Sequence, residues 1–184
     1  MKRSIRYIIF ICGMLLSIVG CSNTTGPVAA QWTLEQSIGV TMPELNYASE
    51  DTLIFHGYFG LFVYDLNTKS ITHSLNLESI GCHFVQGSAY CDVSVSQDGN
   101  TIQLHPMDND KMYIYYVEKN KLTQTNYEPM DKPFKVNIND NANGSVSYET
   151  VKFENDDIGY LKSEDLTLNG LYYVVGNNKY KLFK

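Results

Sequence analysis

From about residue 46 the apolar positions come in short runs cut by Gly, Asn and Asp. Leu53-Ile54-Phe55 follows the polar Ser49-Glu50-Asp51, breaks at Gly57 and Gly60, and resumes as Leu61-Phe62-Val63-Tyr64. Asp65-Leu66-Asn67-Thr68-Lys69 reads as a turn, after which Ile71 to Leu77 alternates apolar with polar. Short strands with this punctuation predict an antiparallel meander. About fifty residues later the same order returns. Ser96-Gln97-Asp98-Gly99-Asn100 is a tight turn in which Gly99 supplies the positive φ that hairpins need. Ile102 and Leu104 mark the next strand, Met112 to Val117 the one after, and Glu118-Lys119-Asn120-Lys121 turns into Leu122.

Two stretches align between these copies. VYDLNTKSI (63–71) matches IYYVEKNKL (114–122), and SEDTLIFH (49–56) matches SQDGNTIQLH (96–105) with a two-residue insertion. Each copy of the second motif ends in a histidine, His56 and His105. A third, weaker echo is LYYVVGNNKYKL (171–182), after the turn signal Asn169-Gly170. The pattern resembles the blades of β-propeller proteins, in which a Ser-x-Asp-Gly turn precedes one strand and a Tyr-rich strand ends in a Lys/Asn turn. A closed ring needs at least about four blades, more than this period allows. The expected fold is all-β, with about three antiparallel blade-like repeats in an open stack or small sandwich and not a closed propeller.

The first twenty residues stand apart. Lys2, Arg3 and Arg6 precede an apolar run from Tyr7 to Val19, which ends in Ile18-Val19-Gly20-Cys21. The run is shorter than the ~20 residues a membrane-spanning helix needs. The order of charge, apolar run and cysteine resembles the lipobox of bacterial lipoproteins. That resemblance implies a signal peptide over 1–20, a diacylglycerol-modified Cys21 and a body anchored on the extracytoplasmic side of the cell membrane. Residues 22–31, SNTTGPVAAQ, read as tether, so 21–45 is expected to be anchor and spacer and 46–184 the all-β domain. Thr33 to Ile38 has an N-cap residue and room for a short helix at most.

Composition agrees with this picture. At 43% hydrophobic and 18% charged the chain is of ordinary globular type, and 14 Tyr against one Trp favours half-buried pleated surfaces. The leader takes three of the 14 basic residues and none of the 20 acidic ones, which leaves 11 lysines and a net charge of −9. Such a body is not expected to bind nucleic acid, and its contact with the membrane is expected through lipid at Cys21. Of four cysteines, Cys12 leaves with the leader and Cys21 takes the lipid. Cys82 and Cys91 remain and are expected to form a disulfide in an oxidising compartment. With His83 and Asp92 they could alternatively hold zinc, although the spacing matches no structural-zinc pattern.

The stretch CHFVQGSAYCDVSVSQDGNTIQLHP, with FHGYFGLFVYDL upstream, resembles the extracellular region attached to Firmicute membrane metallopeptidases related to the β-lactam sensor-transducers. Neither His-Glu-x-x-His nor, in the mature chain, Ser-x-x-Lys is present. The resemblance therefore implies a sensing or binding module without that chemistry. No cofactor is expected. His56 and His105 could meet as a pH-sensitive or metal-binding pair. Asn139 to Gly144 imitates the start of a calcium loop, but Asn opens it and Thr150 stands where such loops need Glu. Asp156-Asp157 and Glu164-Asp165 read as solvated turns. Tyr58, Phe59, Tyr113, Tyr115 and Tyr116 are the candidate ligand-binding aromatics. Tyr113 and Tyr115 share one strand face and Tyr116 the other. The expected function is non-catalytic sensing or binding of an envelope protein, peptide or glycan. The alternative is an inhibitor or structural interaction protein of the envelope.

Overall fold

The computed structural model describes residues 26–39, 42–83, 91–107, 109–140 and 147–184. Three antiparallel sheets organise them, none closed into a barrel. The first sheet runs β1 (Glu44–Ala48), β2 (Thr52–Gly57), β3 (Gly60–Asp65), β4 (Ser70–Leu75) in spatial order. The second repeats this with β5 (Cys91–Val95), β6 (Thr101–Pro106), β7 (Lys111–Tyr116) and β8 (Lys121–Asn126). The third holds β9 (Asn137–Asp140), β10 (Ser147–Lys152), β11 (Ile158–Ser163), β12 (Leu171–Val175) and β13 (Asn178–Lys181). Among the described residues no helix is long and apolar enough to cross a membrane.

The repeat is physical as well as textual. In the first sheet the Ser49 hydroxyl donates to Asp51 Oδ1 at 2.8 Å and accepts from the Thr52 amide at 3.1 Å. In the second, Ser96 donates to Asp98 Oδ1 at 2.5 Å and accepts from the Thr101 amide at 2.9 Å. Side-chain bonds thus replace missing ladder bonds at both turns. The expected positive φ at Gly99 is present at +74°, and Gly is required there twice over, since a Cβ would fall 2.8 Å from the Tyr47 ring. Each sheet also closes its last hairpin with a left-handed residue: Lys69, Asn120 and Gly176. The weak third echo at 171–182 is therefore the same hairpin, β12–β13.

Sheet one is the middle layer. Its Leu53, Phe55, Phe62 and Tyr64 face the third sheet, in one core with Leu161, Leu171 and Tyr173. Its Ile54, Leu61 and Val63 face the second sheet, in another core with Ile102, Leu104 and Tyr115. This two-sided burial explains why 53–55 and 61–64 are unbroken apolar runs, whereas β6 alternates half-buried with buried at each step. Strand β1 lies against β5 of the second sheet and β10 of the third, so the first strands of the repeats converge.

The expected tether is not free along its length. Ala30 and Ile38 are buried, and Trp32 packs edge-on to Phe62 (5.4 Å) and Phe183 (5.6 Å). The expected helix over 33–38 is also absent: a single turn, Gln36 N–H to Thr33 C=O, gives way to a bridge between Ser37 and Thr167. Six residues cannot support a helix against backbone partners already offered by the 166–169 turn. The body therefore begins well before residue 46.

Candidate functional site

A strap crosses the outer face of the second sheet. After β8 the Tyr127 amide donates to Asp110 C=O. The Gln103 side chain then donates to Glu128 C=O at 3.2 Å, and Gln97 donates to Pro133 C=O at 2.9 Å. The strap ends where the Phe134 amide donates to Val95 C=O and the Phe134 ring packs on Tyr47, centroids 4.6 Å apart. Residues 127–134 thus pass from the β8 edge to the β5 edge, held by Gln103, whose register position points away from the core, and by Gln97 in the β5–β6 turn. Ile102 and Leu104 face inward, so Thr101, Gln103 and His105 face outward. Met112, also on this face, is only 2% exposed.

Between strap and sheet lies a hollow of about 590 Å³, within the ~300–1,000 Å³ range of small-molecule sites. Met112 and Ile114 form its apolar floor. Ser96, Thr101, Thr125 and Asn126 supply hydroxyls and an amide, and Glu128, Asp131 and Lys132 bring charge from the strap side. A second hollow of about 720 Å³ adjoins it through Asn126 and is lined by His105, Asn109, Asp110 and Tyr127. There the His105 and Tyr127 rings stack at 3.8 Å and 17°. His105 Nε2 lies 2.8 Å from the Asn109 carbonyl, which requires that nitrogen to be the donor. Its Nδ1 is buried without a hydrogen-bond partner among the described residues. The two hollows form one polar groove with an apolar floor and an aromatic end.

The expected aromatics fare differently. Phe59 is 8% exposed in the core with the third sheet, and Tyr115 is fully buried, its hydroxyl donating to Asn120 Oδ1 at 2.7 Å. Burial pushes the Tyr115 hydroxyl up to about 12. Tyr113 shares that inward face and accepts from Gln124 Nε2 at 3.1 Å. These three are scaffold: Tyr113 and Tyr115 lie on the face of the second sheet that meets the first, and Phe59 lies in the core between the first and third sheets. Tyr58 is exposed, yet its hydroxyl donates to Ser37 C=O. Tyr116 is on the outer face with the groove residues, at its far end and beneath the Lys119 ammonium (5.9 Å).

The expectation that His56 and His105 meet is corrected. They do occupy the same register position, fifth in β2 and fifth in β6. His56, however, faces the second sheet from the first, whereas His105 faces away from the core on the far side of the second, so a sheet separates them. His56 Nδ1 is 2.7 Å from Asn46 Oδ1 and its Nε2 is 3.8 Å from Glu44 Oε2. Burial lowers its pKa to about 4. Burial also raises Glu44 and Glu149, and the Glu44 charge pushes Glu149 further. Glu44 and Glu149 mark the seam between β1 and β10. Among the described residues no three His, Cys, Asp or Glu side chains are grouped to hold a metal ion.

Cys82 and Cys91 are brought together within hydrogen-bonding reach, both with free thiols. The Cys91 pKa is raised by its hydrogen bond with Cys82 first and by burial second. Cys21 lies outside the described residues, as do 141–144 of the calcium-like stretch; Asn139 and Asp140 belong to β9. Sequence reasoning missed the groove itself. The signal was Gln103, a polar residue where the first repeat has the core residue Ile54. Comparison with protein-family models, with curated proteins and with solved structures returned no match.

Proposed function

We propose that this chain is a lipid-anchored, extracytoplasmic binding module that is not catalytic and that takes an uncharged polar ligand in the groove beneath the strap. The groove carries the reading: a hollow of about 590 Å³ with hydroxyl and amide groups over an apolar floor matches the chemistry of hydroxyl- or amide-bearing ligands. The His105–Tyr127 stack at its end offers a flat apolar surface beside hydrogen-bonding groups, a combination suited to sugars or short peptides. Attachment through Cys21 rests on the leader's resemblance to lipoprotein signals. Two experiments test the two parts. Short neutral oligosaccharides and short peptides, screened by thermal shift, should give binders that Ile114→Trp abolishes by filling the groove. Binders unaffected by that substitution would place the site elsewhere. Cys21→Ala should move the protein out of the membrane fraction; unchanged fractionation would refute the anchor.

A further inference from the structure

The opposite end of the stack exposes the outer face of the third sheet, and its chemistry differs from that of the groove. Leu161, Leu171 and Tyr173 face the first sheet, so Tyr160, Lys162 and Tyr172 face outward. Tyr148 on β10, Tyr160 on β11 and Tyr172 on β12 stand one strand apart. Thr150 pairs with Tyr160, and Lys162 pairs with Tyr172. Each tyrosine is therefore the diagonal neighbour of the next: Tyr148 and Tyr172 come level with Lys162 on its two sides, Tyr160 stands two residues away along β11, and the three form a V-shaped cluster on the sheet. The rings of Tyr148 and Tyr160 are 5.9 Å apart, and all three tyrosines are half-buried, each keeping part of its surface in solvent.

Lysines surround Tyr172. Lys162 and Lys181 are the two cross-strand partners of Tyr172, and the Lys179 ammonium stands 3.8 Å from its ring centroid. Lys152 shares the face at the other end of β10. Glu164 pairs with Lys179 at 2.5 Å and Asp156 with Lys152 at 2.6 Å. Asp165 is near Lys181 but is bound first into its own turn by Thr167. Lys162 makes no ion pair among the described residues, and Lys181 donates to the neutral Asn169 Oδ1. Four of the 11 lysines after the leader thus lie on one face of a body that is otherwise acidic. Sugar-ring C–H groups pack on aromatic rings, and ammonium groups pair with carboxylates.

We propose that this face is a docking surface for an anionic polysaccharide, its pyranose rings lying on the Tyr148–Tyr160–Tyr172 cluster and its carboxylates meeting Lys162, Lys179 and Lys181. The surface is separate from the groove and does not depend on it.

The test uses the full chain in detergent with three probes: polygalacturonate (rings and charge), dextran (rings only) and polyphosphate (charge only). Polygalacturonate should bind in a salt-sensitive manner and dextran should not. Tyr160→Ala and Lys162→Gln should each weaken that binding by about tenfold, the scale of one aromatic or charge-assisted contact, while Tyr160→Phe retains it. Gln103→Ala, in the groove, should leave it unchanged. Thermal melts confirm that each variant is folded, and Tyr160→Phe with Lys162→Gln keeps the test informative if Tyr160→Ala is not. Absence of polygalacturonate binding would overturn the proposal. So would dextran binding as tight, or polyphosphate binding as tight and indifferent to Tyr160→Ala.

Discussion

In the first sheet Leu53, Phe55, Phe62 and Tyr64 are all fully buried against the third sheet. Counted from the closing hairpin, the third sheet has Tyr160, Lys162, Tyr172 and Val174 at the matching register positions, and there they face outward. The second sheet shows the same substitution on its other face. Ile54 and Val63 of the first sheet, an opposed pair, become Gln103 and Ile114. One strand pattern therefore serves as a two-sided core in the middle and as a one-sided core at each end. In stacked repeats, terminal units need polar outer faces. The two ends meet that need differently: one folds its own chain over the face and keeps a groove, the other leaves tyrosines and lysines in solvent.

Exchanging residues between middle and end tests this most severely. Ile54→Gln should destabilise the fold by about 4 kcal/mol, combining lost apolar burial with a buried amide that lacks partners. The reciprocal Gln103→Ile should change stability by less than about 1 kcal/mol while releasing one strap bond. Urea unfolding of both variants measures the asymmetry, and equal losses would erase the distinction between middle and end.

His56 probes the middle by pH. Its folded pKa is about 4 against an ordinary 6.5. The unfolded chain therefore takes up the proton first, so stability present above pH 6.5 is lost as pH falls toward 4. The change is at most about 3 kcal/mol. Stability curves of His56→Gln should be flatter across that window; identical curves would mean that His56 is not buried as described. Glu149 has the opposite sign. With its folded pKa raised, it contributes stability at low pH that is lost as pH rises through the raised value, so Glu149→Gln should stabilise the protein at neutral pH.

The cysteine pair joins the exit of the first repeat to the entry of the second. In an oxidising compartment we expect Cys82 and Cys91 to bond, adding about 2–3 kcal/mol on the loop-entropy scale. Intact-mass analysis of the protein isolated without reductant checks this, and two alkylatable thiols would remove it. A smaller and more local test lies in the third sheet. A Cβ at Gly159 would fall 2.1 Å from the Tyr173 hydroxyl, which has no hydrogen-bond partner among the described residues. Gly159→Ala should cost about 2 kcal/mol by overpacking, and Tyr173→Phe in the same chain should recover part of it.

Much of this was legible in the sequence, and what was legible is local. The Ser-x-Asp turns, the Asp98-Gly99 hairpin and the three Lys/Asn/Gly hairpins follow from turn chemistry carried within a few residues. The equivalence of His56 and His105 followed from the same alignment. Their surroundings did not, because the face a strand position meets depends on which sheet lies beyond it. A clue was present in the unbroken apolar runs 53–55 and 61–64 against the alternation of β6. Phe59 and Tyr115 looked like ligand aromatics for the same reason: type and spacing do not say which face is core. The strap was illegible because 127–134 has no periodicity, and its path is set by amides of Gln97 and Gln103 far from it in sequence. The early packing of Trp32 was hidden by the small polar residues that precede it.

Native-state hydrogen exchange tests the placement of the first sheet most directly. Amides of β2 and β3 should exchange only through global unfolding, with the full free energy of stability, because both faces of their sheet are buried. Amides of the end strands β8 and β13 should open at clearly lower free energy through local or sub-global opening. If β2 and β3 exchanged as readily as β8 and β13, the first sheet would not be the middle layer, and the roles assigned to the two end faces would fall with it.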